Sequence, residues 1–163
     1  MRYFTVLVII LFFPLMQNNL SHCTFSITAP SLKNPTFTAT GVMATYIPGD
    51  RIQFPRILSN IGEHYSTTTN SFTCPTLGLY LFAFAAESDV PDAHFYVNLV
   101  KDGEVLASSL AWEHVQMSNL VFVECNPGEE VWVEAVTEGK TTGIADPEYD
   151  REHSFTGTLL REL

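Results

Sequence analysis

Apolar residues along this chain fall in short runs cut by turn residues, and from Thr36 onward no long stretch repeats at the helical period. That pattern predicts an all-β protein. In the run 72–86, FTCPTLGLYLFAFAA, both alternating sets are apolar: Tyr80, Phe82 and Phe84 on one, Leu79, Leu81, Ala83 and Ala85 on the other. A strand of that kind is covered on both faces and lies in mid-sheet. His94 to Val100 and Glu104 to Ala111 flank Lys101-Asp102-Gly103, a hairpin signal because glycine accepts positive φ. Ser118 to Cys125 and Glu130 to Val136 flank Asn126-Pro127-Gly128, which predicts a second hairpin on a tight turn. In the closing run Ser154 to Leu160, Phe155, Gly157 and Leu159 share a face, and a glycine inside a strand implies close backbone approach. With Thr36 to Ala44, Ile52 to Phe54 and Ile57 to Ser59, these runs give eight to ten short strands. That many in about 130 residues predicts a sandwich or jelly roll.

The N-terminus differs. Met1-Arg2 precedes an almost wholly apolar run, Tyr3 to Leu15, which ends at Gln17-Asn18-Asn19. A bilayer-spanning helix needs about 20 apolar residues, so this shorter run reads as a cleaved secretory signal over residues 1–21, with the cut near Ser21 or His22. Residues 22–35 then form a short extension before a domain at 36–163, in a protein expected to be extracellular and to have no membrane span. Of 163 residues, 46% are apolar and 16% charged, a composition that buries a core. Loss of the signal removes Arg2 and leaves seven scattered basic residues against 18 acidic ones. Nucleic acid is excluded as a partner, because its binders gather Lys and Arg on one face to neutralise phosphates. Three cysteines, Cys23, Cys74 and Cys125, leave one over if two pair, and an odd cysteine in a secreted chain invites an intermolecular bond.

Several landmarks together resemble a known family. Phe37-x-Ala39, Ile52-Gln53-Phe54 with Leu58-x-Asn60, Tyr65, and Phe72-Thr73-Cys74-Pro75 with Gly78-x-Tyr80-x-Phe82 occur in order and at the spacing of the globular head of complement component 1q. Leu99 to Gly103, Gly128-Glu129-Glu130-Val131-Trp132-Val133 and Ser154-Phe155-x-Gly157-x-Leu159-Leu160 continue the match to the end of the chain. The resemblance implies a ten-stranded jelly-roll sandwich of the complement 1q and tumour-necrosis-factor type, no enzymatic activity, and assembly as a homotrimer or as a mixed trimer with related subunits. It also implies that the strand beginning near Cys74 and the one ending near Cys125 are antiparallel neighbours, so that a Cys74–Cys125 disulfide fits and Cys23 is left as an interchain candidate. No Gly-X-Y tract or heptad pattern lies before residue 36, so any oligomer is expected to be held by the domain itself, with help from Cys23.

Candidate chemistry is sparse. Asp89 and Asp92 in one acidic loop, and Asp146 and Asp150 in another, are the candidate calcium ligands, since calcium takes six to eight oxygens from converging carboxylates. The plainer alternative is a pair of solvated acidic loops; the Asp-x-Asp-x-Asp-Gly signature is lacking, and no other cofactor is expected. Five separated histidines and no paired Cys-x-x-Cys give no zinc motif, and no Gly-x-Ser-x-Gly elbow marks a nucleophile, so no catalytic residue is assigned. Among the aromatic residues, Trp112, Tyr46 and Tyr65 could stack on a ligand. Trp132, inside a strand, is expected in the core or a trimer interface, and Tyr149 with His94 are the ligand-contact candidates. The expectation is a secreted, non-catalytic trimer whose loops recognise glycans, microbial surfaces or proteins in innate defence. The alternative is a cytokine-like or synaptic-organiser ligand for a host receptor.

Overall fold

The structure, a computed structural model, describes residues 34–41, 45–87, 95–111, 115–137, 139–140 and 153–163. In chain order the strands are β1 (Thr36–Thr40), β2 (Thr45–Tyr46), β3 (Arg56–Ile61), β4 (Tyr65–Ser66), β5 (Ser71–Thr73), β6 (Gly78–Glu87), β7 (Phe95–Lys101), β8 (Glu104–Ala111), β9 (Gln116–Cys125), β10 (Glu130–Ala135), β11 (Gly139–Lys140) and β12 (Ser154–Glu162). Ten of them form two five-stranded antiparallel sheets, β3-β1-β12-β6-β9 and β4-β5-β10-β7-β8, and β2 pairs β11 in a separate ladder. There is no helix among the described residues. This is the jelly-roll sandwich expected from the pattern of apolar runs.

The two inner faces interlock because side chains alternate along a strand. β6 buries Tyr80, Phe82, Phe84 and Ala86 on one set and leaves the other half-buried. Sheet two answers with Phe72, Phe95, Val97, Leu99, Val131 and Val133. Phe37 organises the centre: Tyr65 and Phe72 stack on it at centroid distances of 4.7 and 5.0 Å, and Phe155 meets it edge-on at 4.8 Å. Fully burying each such ring contributes about 1.5–3 kcal/mol. This packing requires Gly157 on β12, where an added Cβ would lie 2.5 Å from both Phe37 Cε1 and Phe82 Cε1.

Both predicted turns form. Lys101 pairs Glu104 across a two-residue loop in which Asp102 (φ 43°) and Gly103 (φ 87°) are both left-handed, the geometry of a type I′ hairpin. Asn126 to Glu129 form a turn closed by the Glu129 N–H to the Asn126 carbonyl at 3.2 Å, with Gly128 at φ 91° as a type II turn demands.

Two expectations need correction. The run 72–86 is not one strand: it breaks after Thr73, so β5 lies in sheet two and β6 in sheet one. Pro75 has no N–H to continue a ladder, the Cys74 N–H is taken by the Glu129 carbonyl at 2.8 Å, and the Tyr80 hydroxyl donates to the Thr76 carbonyl at 2.9 Å, holding the crossover. Ile52 to Phe54 is no strand either. It joins sheet two through the single Arg51–Glu134 bridge and the Ile52 N–H to the Val133 carbonyl, and buries Ile52 and Phe54 in the core.

Candidate functional site

The outer face of sheet one is built from the residues that alternate with the core. The ladder sets Leu81 of β6 between Thr158 of β12 and Phe122 of β9, and Ala83 between Thr156 and Leu120. Thr158 and Thr156 pair in turn with Thr36 and Thr38 of β1, their hydroxyls 2.8 and 3.1 Å apart, so these threonines satisfy one another. Ile61 of β3 continues the row beyond Thr36. Phe122 is 62% exposed and Leu120 49%, unusual for side chains of this size lying side by side on one strand. Charge enters at the two ends, where Leu79 pairs with Glu124 and Arg161 and where Glu87, on the same alternating set of β6, pairs with Gln116. Toward the other end, Ala83, Ala85, Ser118, Leu120, Ser154 and Thr156 line an open depression of about 530 Å³. The face is therefore apolar, shallow and free of ionised groups at its centre.

Sheet two is different on its outer side. Trp132 points outward there, half-buried, which takes it out of the core, the first of the two places expected for it. The Arg51 guanidinium lies 3.9 Å over its ring, Arg51 pairs with Glu130 at 3.1 Å, and the indole N–H donates to Glu134 Oε2 at 3.2 Å. One ion pair, one hydrogen bond and a cation–π contact thus tie Arg51, Glu130, Trp132 and Glu134 to one another.

Cys74 and Cys125 meet at one end of the sandwich. Both are fully buried free thiols, and each is the largest influence on the other's ionisation, which sets their side chains next to each other. The strand neighbours are those expected: Gly78 at the start of β6 pairs with Cys125 at the end of β9. The adjacent Cys125 and burial push the Cys74 thiol pKa up. The adjacent Cys74 and the Lys101 ammonium lower that of Cys125 against its burial. Beside them Glu129 accepts the backbone and side-chain N–H groups of Asn126 at 2.8 and 3.1 Å and pairs with Lys101 at 3.4 Å, which holds its carboxyl below the usual range.

A C1q domain family model matches residues 36–160, the span of both sheets. The chain belongs to the C1q domain family. It is 32% identical over 137 residues to mouse complement C1q and tumor necrosis factor-related protein 9, covering 81% of this chain and 40% of that relative, so it spans two fifths of that protein's length. Among solved structures, the globular domain of zebrafish complement 1qA protein superposes with TM-score 0.63 at 19% identity, over 79% of this chain and 99% of that one. Murine APRIL does so with TM-score 0.63 at 10% identity, over 78% and 100%, a likeness of fold alone.

Within this C1q domain the residues first singled out fall in different places. Tyr46 and Tyr65 are core residues, 2% and 3% exposed; the Tyr65 hydroxyl donates to the Phe54 carbonyl, and burial pushes its pKa well above that of a free phenol. Asp89, Asp92, Asp146, Asp150, His94, Tyr149, Trp112 and Cys23 lie outside the described residues. Among the described residues no three His, Cys, Asp or Glu side chains converge as a metal site, and no helix is long and apolar enough to cross a membrane. The outer face of sheet one was missed from sequence, although β9 carries the same signal as β6: Leu120 and Phe122 on one alternating set, Val121 and Val123 on the other.

Proposed function

We propose that this C1q domain is a secreted, non-catalytic recognition protein that works as a trimer, its subunits joined through the outer face of sheet one and its remaining surface turned to ligand. The observation that carries the reading is the exposure of Leu120 and Phe122 beside Leu81 in a charge-free row. Each secreted copy keeps seven basic residues against 18 acidic ones, so copies repel except through a face whose centre is without charge, and burying that face removes apolar area from water at about 25 cal/mol per Å². Three-fold closure multiplies weak ligand contacts by avidity, which suits recognition of repeated glycans or microbial surfaces in innate defence. A host receptor engaged in the manner of a cytokine is the second reading, supported by the jelly roll shared with murine APRIL.

Light scattering on the purified protein tests the assembly. The expected native mass is three chains, falling to one chain in Leu120→Asp/Phe122→Asp with the β-sheet circular dichroism retained; a wild-type monomer overturns the trimer. Panning against glycan arrays and bacterial surfaces, beside a screen of host receptors, separates the two ligand classes. Absence of any surface binding sinks the defence reading.

A further inference from the structure

Cys74 lies in the segment that crosses from sheet two to sheet one, and Cys125 is the last residue of β9. Each backbone is pinned independently. Cys74 is tied on both sides to the Asn126–Glu129 turn, its N–H donating to the Glu129 carbonyl and its carbonyl accepting from the Gly128 N–H, each at 2.8 Å. Cys125 is held in the β6–β9 ladder opposite Gly78. Both side chains are wholly shielded from solvent and lie next to each other, each the largest influence on the other's ionisation.

We propose that Cys74 and Cys125 are joined by a disulfide in the extracellular protein, stapling the crossover between the sheets to the end of β9. The inference rests on the extracellular reading above, because thiols in a reducing compartment stay reduced. The oxidant is the disulfide of a thiol–disulfide oxidoreductase of the secretory pathway. Either cysteine can attack first: Cys125, as thiolate, attacks one sulfur of that disulfide and expels the other as thiolate, forming a mixed disulfide. Cys74 then loses its proton and attacks Cys125 Sγ, expelling the second carrier thiolate. Two protein thiols become one disulfide, and the carrier disulfide becomes two thiols. Since both sulfurs are fully buried in the fold, exchange takes place before the sandwich closes, and the finished bond is out of reach of reductant until the sheets part.

The test is the full chain expressed in eukaryotic cells, collected from the medium, unfolded in excess iodoacetamide without reductant, and mapped by mass spectrometry. The expected result is one Cys74–Cys125 linked peptide, lighter by two hydrogens than the sum of its parts and released by reductant. Alkylation of both residues, or a link from either one to Cys23, overturns the proposal. If no protein reaches the medium, the extracellular reading fails separately. The reduced chain is then refolded in mixed reduced and oxidised glutathione, where the same linked peptide supports the pairing and two alkylated cysteines overturn it. Reductant with denaturant should also lower the refolding yield of wild type and leave Cys74→Ala/Cys125→Ala unchanged.

Discussion

Gly157 and Gly103 are both required, for different reasons. A Cβ on Gly157 would sit 2.5 Å from two buried phenylalanine rings that have no room to retreat, so Gly157→Ala should cost about 1–3 kcal/mol by overpacking, read as a lower urea midpoint. A Cβ on Gly103 meets nothing within 4 Å, and Gly103→Ala should cost only the left-handed backbone penalty of about 1–2 kcal/mol. Glu129 has a pH signature. Its carboxyl pKa is depressed by the Asn126 N–H groups and Lys101, so its contribution is present at neutral pH and lost as pH falls through the folded-state value. Glu129→Gln should therefore be less stable than wild type by about 1 kcal/mol at pH 7, and the difference should close in acid, as urea unfolding at both pH values would show. The glycines could be picked out in the sequence because backbone demands are local; the role of Glu129 could not, since its partners are set by where β7 and the turn come together.

At the level of elements, alternation was readable wherever one face of a strand is buried. β8 and the type I′ turn before it formed where the residues placed them, and β7, β9, β10 and β12 differ only at their ends, because turn residues and period-two patterning act over a few neighbours. The run 72–86 failed as a single strand for a physical reason. Apolar alternation on both sides of Cys74-Pro75 is compatible with one long strand or with two strands in opposite sheets, and the missing N–H of Pro75, the bonds from Cys74 to the 126–129 turn and the Tyr80–Thr76 bond together decide for the second. A one-residue deletion within 74–77 should accordingly disrupt the fold more than a one-residue insertion of glycine at the exposed 102–103 turn, measured as the loss of soluble protein and of the cooperative thermal transition.

Across the whole molecule, the two outer faces divide the work: the Arg51–Glu130 ion pair and the Arg51–Trp132 contact tie groups of sheet two to one another, while sheet one offers Leu81, Leu120 and Phe122. An assembly held by such a face between strongly acidic copies should tighten with salt, because screening shortens the reach of repulsion from about 30 Å at 0.01 M to about 8 Å at 0.15 M and leaves apolar burial intact. Sedimentation across that range would show it, and dissociation by salt would instead mark an ionic interface. By itself the sequence determined the all-β class, the turns, most strands and the residues facing the core, since these follow from local period and from turn chemistry. Only the tertiary structure decided that the run 72–86 is shared between two sheets, that Trp132 faces outward under Arg51, and that Leu120 and Phe122 share a row with Leu81. Each of those depends on pairing residues far apart in the chain, and a period along one strand carries no record of which strand lies beside it.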